Sequence, residues 1–347
     1  MARTALALVE QAPAELTARD WRLIVTAYRE PNFARSVFEI VVTAVPFFAL
    51  WAAAWAAMSV GYWLTLLIAV PASLFLLRLF LIQHDCGHHA LFRQAAVNDW
   101  IGRFIGILTL TPYDVWRRDH AIHHASSGNL DRRGVGDIYT LTVPEYRALN
   151  TLRRLGYHLY RHPAVMFGLG PAYVFLLCQR LPFGQMRDGW RPWVSAMGTN
   201  LAVVAASGTL IYFVGLWTFL MVHVPIVIMA ATIGIWLFYV QHQFEETVWE
   251  DSKHWSHQEA ALRGSSFYEL PPIISWFSAN IGVHHVHHLY SQIPFYRLPQ
   301  VLRDHPELAN INRIKFLEGF KYVKLKLWDP GSKRLVSFQE ARRITSG

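Results

Sequence analysis

His284-His285-Val286-His287-His288 places four imidazoles in five positions. A buried imidazole needs a partner for each ring nitrogen, and packing alone rarely supplies so many. Neutral imidazole is a favoured ligand of divalent iron and zinc, so the stretch reads as metal-binding. Two further clusters occur, His84-Asp85-Cys86-Gly87-His88-His89 and His120-Ala121-Ile122-His123-His124. The second and third share the spacing His-x-x-His-His, as His120, His123, His124 and His284, His287, His288. With 17 His in 347 residues, one such triplet arises by chance about once in twenty-odd chains, so two point to a site. A solvated His-rich loop accounts for one cluster but not for a repeated spacing.

Eight histidines exceed the four ligands of one tetrahedral zinc and suit two metal ions. A pair of irons can reduce dioxygen and generate an oxidant able to attack an unactivated C–H bond. A zinc hydrolase would want a general base beside its ligands, as in His-Glu-x-x-His, and no such motif occurs. Cys86 and Cys178 are the only cysteines, too few for a disulfide framework or a thiolate cage, so any metal falls to His, with or without carboxylates. His84 and His88 are four apart and face one way on a continuing helix. Gly87 leaves room for close approach, while Asp85 and His89 read as orienting or structural residues. His242, in Gln241-His242-Gln243, is a further ligand candidate beside a plain interface reading. His223 reads as a core histidine, His254 and His257 as loop residues, and His285 has no assigned role.

The elements that must position these rings are apolar. The chain is 53% hydrophobic and 16% charged, below the roughly 25% charged of globular averages. No charged residue occurs in 40–77, a run of 38, or in 192–244, a run of 53. Each run is too long for one crossing of a ~30 Å hydrocarbon core, which takes about 20 residues, and fits a helical hairpin. The expected fold is therefore an all-α integral membrane protein. Four transmembrane helices, 38–58, 62–82, 193–214 and 216–240, form two hairpins under a cytoplasmic helical cap that holds the metals. Gly61 is expected to turn the first hairpin with a backbone open only to glycine, and Glu39 and Arg78 to reach the interface. Residues 100–112 are too short to span. Residues 164–181 could just span, but a crossing there would part the clusters, so they are placed in the interface, broken by Gly168, Gly170 and Pro171.

Residues 20–30 read as an amphipathic helix on the membrane, stopped by Pro31, and the start of the chain does not read as a signal peptide. Residues 245–270 read as loop, and those after Tyr290 as a soluble basic tail. The whole, 1–347, is taken as one domain: 1–35 cytoplasmic or interfacial, 36–82 the first hairpin, 83–191 cytoplasmic and interfacial with two clusters, 192–241 the second hairpin, and 242–347 the cap. The formal net charge is +8, and from Arg93 to Arg191 there are 13 Arg, no Lys and seven acids. Excess Arg beside spans marks the cytoplasmic side of a bacterial inner membrane or its equivalent, rather than a nucleic-acid surface. It would also suit a small acidic redox partner.

His84-Asp85-Cys86-Gly87-His88, His120-x-x-His123-His124 and His284-x-x-His287-His288 resemble, in order, spacing and position, the three histidine boxes of the membrane fatty acid desaturases. The resemblance covers roughly residues 35–300. Its detail is most like the omega-6 (delta-12) acyl-lipid type, through Ser127-Gly128-Asn129-Leu130-Asp131-Arg132-Arg133-Gly134 and Gln241-His242-Gln243. It implies a di-iron enzyme that uses O2 and two electrons to make a cis double bond in an acyl chain. The implied ligands are His84, His88, His120, His123, His124, His242, His284, His287 and His288, two Fe ions being the cofactor. In the acyl-CoA branch an Asn four residues before the counterpart of His242 acts through water, and here Phe238 stands there. No His-Pro-Gly-Gly occurs, so no cytochrome b5 is fused, and an external donor such as ferredoxin or cytochrome b5 is implied. The substrate would be an acyl-lipid or an acyl thioester. A carotenoid ketolase or hydroxylase, or a fatty acyl hydroxylase, of the same superfamily is the alternative. A His-lined metal transporter is more distant, because the hairpins lack ionisable residues apart from His223.

Overall fold

The computed structural model describes residues 16–344. The signal-peptide question falls largely on residues 1–15, outside the described residues. The helices are α1 (Ala18–Val25), α2 (Phe33–Ala57), α3 (Tyr62–Gly87), α4 (Ala95–Leu108), α5 (Tyr113–Ser126), α6 (Val143–Ala148) and α7 (Thr151–Tyr160). After the irregular stretch Val165–Arg180 come α8 (Arg191–Val214), α9 (Leu216–His242), α10 (His257–Arg263), α11 (Pro272–Phe277), α12 (His284–Leu289), α13 (Leu298–Asp304) and α14 (Phe338–Arg343).

Helices α2, α3, α8 and α9, of 25, 26, 24 and 27 residues, are long and apolar enough to cross a membrane. At 1.5 Å per residue each reaches roughly 36–40 Å, beyond a ~30 Å core. Helix α3 packs against both α2 and α9, so the first His cluster emerges from the middle of the apolar layer. At Gly215, which joins α8 to α9, φ is +83°, a value side chains disfavour. Gly61 differs from expectation. Its φ of 162° is ordinary extended backbone, and a Cβ there would meet only the Trp63 ring, at 2.9 Å.

Charged residues near the apolar layer turn inward rather than snorkelling outward. Arg78 is 1% exposed and ion-paired with the equally buried Glu39. It also donates to the Trp276 carbonyl, and its guanidinium lies 4.0 Å from the Trp276 ring centroid. An ion pair this dry needs every donor matched, and the matching ties α2 and α3 to α11, just ahead of the third cluster. Helix α1 also departs from expectation. Its apolar face, Ala18, Trp21, Ile24 and Val25, is buried against α10 and α12 instead of facing lipid.

The fold is mostly helical rather than all-α. Strands β1 (Leu141–Thr142), β4 (Leu325–Asp329) and β5 (Arg334–Ser337) form a three-stranded sheet, with β1–β4 parallel and β4–β5 antiparallel. Strands β2 (Phe267–Glu269) and β3 (Arg313–Lys315) pair in parallel. The residues after Tyr290 are thus folded onto the rest, as when Tyr239 Oη donates to the Leu325 carbonyl. Asp329-Pro330-Gly331-Ser332 between β4 and β5 is a turn signal that the tail reading passed over. Val165–Arg180 is no straight helix: two wide-turn segments flank Gly170–Ala172.

Candidate metal centre

All nine ligand candidates meet, in two groups. One nitrogen from each of His84, His88, His120, His124 and His287 lies within 4.8 Å of the others, and the same holds for His123, His242, His284 and His288. Positions i, i+3 and i+4 lie on one side of a helix, with i+3 and i+4 splayed to either side of i. His84 with His88, His120 with His124, and His284 with His288 stay together. His123 crosses to the group of α12, and His287 crosses to the group of α3 and α5. The groups touch where the His124 and His288 rings stack at 4.0 Å.

Several ring nitrogens face one another with nothing else to bond. His88 Nε2 and His124 Nε2 lie 3.0 and 3.1 Å from His120 Nε2. His242 Nε2 lies 3.2 Å from His123 Nε2 and 2.9 Å from His284 Nε2. Nδ1 of His123 donates to Asp137, and Nδ1 of His242 faces the Gly264 carbonyl at 3.4 Å. That carbonyl can only accept, so in neutral rings both Nε2 atoms carry lone pairs, 3.2 Å apart. Two lone pairs so placed repel, and a cation bound by both removes the conflict. His287 has neither nitrogen partnered in the protein. The donor set fits metal ions.

Electrostatics favour the ligating form. Burial, reinforced by neighbouring rings, holds His88, His120, His124, His284, His287 and His288 well below the ordinary imidazole range. They are neutral at pH 7, as metal ligation requires.

The residues around the rings were harder to foresee. Asp137, thirteen residues past His124 in a glycine-rich loop, is the partner of His123, and no spacing rule marks it. Gly136 beside it has φ +69°, and a Cβ there would meet the Asp119 carbonyl and His123 Cβ at 3.1 Å. Trp116 stacks on His120 at 4.8 Å, close over Gly87, where an added Cβ would meet its ring at 2.9 Å. Asp85 departs from its expected role. Its carboxylate is 3.6 Å from His84 Nδ1, too far for a hydrogen bond, and accepts instead from the Phe295 amide at 2.7 Å. His89 bonds Asp99 at 2.9 Å, and Tyr113 and Arg117 join the same carboxylate while holding the Cys86 and Gly87 carbonyls. His285 is fully buried, its Nε2 on the Leu308 carbonyl at 2.9 Å. His223, His254 and His257 belong to neither group. Phe238 packs between the His123 and His242 rings, at 5.1 Å from each.

An apolar cavity of about 370 Å³ opens against His84, His120 and His284 and runs between α3, α9 and Val165–Arg180. Its walls include Leu77, Phe80, Phe175, Ala230, Gly234 and Phe238. Along α9 it extends from Gln241 back to Val227, fourteen residues or roughly 21 Å of helix.

A mostly helical chain with four membrane-length apolar helices, and two histidine groups at the head of an apolar cavity, defines a class: a membrane enzyme acting on a long apolar chain. Comparison with known proteins makes it specific. Residues 60–317 match the family model described as fatty acid desaturase. A protein of Bacillus subtilis named fatty acid desaturase is 42% identical over 320 residues, covering 92% of this chain and 90% of that protein. More distant are an sn-1 acyl-lipid omega-3 desaturase (ferredoxin) of Nostoc and an sn-1 oleoyl-lipid 12-desaturase of Synechocystis. Each is 27% identical, over 63% of this chain and 61% and 62% of their own lengths. The chain belongs to the fatty acid desaturase family. It is an oxidoreductase and a membrane protein.

Proposed function

We propose that the nine grouped histidines hold two iron ions and that the enzyme introduces a cis double bond into an acyl chain lying in the apolar cavity. The observation that carries this is the convergence of two imidazole groups at the head of a cavity lined largely by Leu, Phe, Ala and Gly residues. Nitrogen pairs 2.9–3.2 Å apart are close enough for the rings of a group to hold one ion in common.

The balance is R–CH2–CH2–R′ + O2 + 2e⁻ + 2H⁺ → R–CH=CH–R′ + 2H2O. When bound, the irons supply the redox chemistry with dioxygen. The chain's own residues do the rest. Phe80, Trp116, Phe175 and Phe238 confine the acyl chain and exclude water, Asp137 and the Gly264 carbonyl fix the tautomers of His123 and His242, and Trp116 holds the His120 plane.

The substrate is read as a lipid-linked acyl chain and the position as delta-12 (omega-6), supported by the histidine-box detail and by relatives named oleoyl-lipid 12-desaturases. In this reading the whole chain is one desaturase domain, with segments 1–35, 36–82, 83–191, 192–241 and 242–347 as above. α2–α3 and α8–α9 form two hairpins, Val165–Arg180 lies in the interface, and the metals face the cytoplasm. Two hairpins are an even number of crossings, which keeps all three clusters on one side. The donor is a separate ferredoxin or cytochrome b5, in line with relatives whose names carry each.

Gas chromatography of fatty acids from cells with and without the gene tests the reading, with His124→Ala as control and iron counted on the purified enzyme. A new diene and two irons per chain are expected. An oxygenated product, or one tetrahedral zinc, overturns it.

A further inference from the structure

The two histidine groups differ in exposure. All four rings of the second group are buried, whereas His88, His120 and His124 of the first are half-buried. Electron tunnelling falls steeply with distance, so a donor must seat near that open edge. In the Arg-rich stretch 93–191, the docking face suggested by composition, six of the thirteen Arg are taken up internally. Arg93 pairs with Glu30, Arg103 with Asp114, Arg117 with Asp99, Arg118 with Asp188 and Arg133 with Glu145, while Arg161 is fully buried. Paired charges cast little long-range field.

Helix α1 is different. Arg19 and Arg22 form no ion pair among the described residues, and with Leu23, Thr26, Gln258 and Tyr290 they line a surface depression of about 510 Å³. Both walls lead to metal ligands. Gln258 belongs to α10, which packs against α5, the helix that carries His120 and His124. Tyr290 follows His288 by two residues. Because the apolar face of α1 is buried against α10 and α12, the helix offers solvent Arg19, Arg22 and Leu23, with Asp20 engaged by the Thr17 cap.

We propose that this α1 depression is the docking surface for the electron donor, a small acidic one-electron carrier of the ferredoxin kind. The assignment rests on the desaturase reading above and moves the contact from the Arg-rich stretch to Arg19 and Arg22. Each docked donor gives up one electron and leaves oxidised, so two dockings supply one double bond, with protons from water.

The test uses the full-length enzyme in phosphatidylcholine nanodiscs with a plant-type ferredoxin. Arg19→Glu/Arg22→Glu is expected to weaken ferredoxin binding at low salt by about tenfold or more and to flatten its salt dependence. The KM for ferredoxin should rise in parallel, while turnover driven by dithionite stays unchanged. Arg19→Gln/Arg22→Gln should fall between, and Arg132→Glu/Arg187→Glu should bind as wild type. Unchanged binding in the double reversal overturns the proposal. So does a loss that appears only when the discs contain phosphatidylglycerol, which would make the depression a contact for anionic lipid. If wild-type enzyme makes no unsaturated product with either reductant, the desaturase reading falls, and the binding measurement still decides the surface.

Discussion

The five-histidine and four-histidine groups are made of the same side chain but held differently. In the four-histidine group every ring is buried, and two of them have Nδ1 directed at oxygen acceptors, Asp137 and the Gly264 carbonyl. The five-histidine group has one ring more and less shelter. Its support is indirect, through Trp116 stacked on His120 and through Asp99, Tyr113 and Arg117 gripping the end of α3. One group gets its precision from hydrogen bonds to its ligands. The other gets it from ligand number and from the rigidity of the helix end.

Removing a ligand from the smaller group is expected to do most damage. His242→Ala leaves three rings, and desaturation should fall by more than about 100-fold, since loss of even an outer partner of a ligand costs 10–100-fold. One iron should be lost with it. His88→Ala leaves four rings, and more of its iron should be retained. Iron analysis beside fatty-acid chromatography checks this, and equal iron loss in the two variants would erase the distinction.

The sequence made the ligands legible because metal binding imposes spacing, and i, i+4 on a helix is visible in one dimension. The sorting was not legible: i+3 and i+4 both lie on the face of i, and packing sends the middle ring of each His-x-x-His-His to the other group. The four membrane-length helices were legible from charge-free runs. Contacts between distant segments were not. Asp137 acts from a loop whose path is set by Gly136, and Arg78 looked like an interfacial residue until Glu39 and the Trp276 carbonyl came beside it. Helix α1 shows the limit of amphipathicity, because an apolar face does not say whether lipid or protein will cover it.

Next in size is Asp137→Asn. Its amide can present a donor where His123 Nδ1 needs an acceptor, and a loss of roughly 10–100-fold in iron affinity or activity is expected. Asp85→Asn is the contrast. Its oxygen can still accept from the Phe295 amide and makes no hydrogen bond to His84, so iron binding should stay within a few-fold. Iron titration of both variants decides whether direct support of a ligand is special to the four-histidine group.

Chelation and acid probe the same difference without mutation. The lowered imidazole values mean that the neutral, ligating form persists as pH falls through 6.5, so iron should be retained there and displaced by protons only below. Release into a ferrous chelator is expected in two phases, the half-buried five-histidine group emptying first. A single phase for both ions would mean that exposure does not control access.

Among the groups that touch a ligand ring, the smallest effect expected is at Trp116. Its ring lies 4.8 Å from His120 at an interplanar angle of 13°, and such a stack is worth about 0.5–1.5 kcal/mol. Trp116→Leu should therefore speed the first phase of iron release by roughly 2- to 12-fold and leave the second phase alone. Because Trp116 also lines the cavity, activity is a poor readout, and the release phase is the proper one. Gly87→Ala offers the same perturbation from the opposite side, since its methyl would meet the Trp116 ring at 2.9 Å and push it off His120. If both variants speed the first phase only, helix-end rigidity holds that ion. If either one speeds the second, the contact of His124 with His288 couples the two groups, and they must be treated as one site.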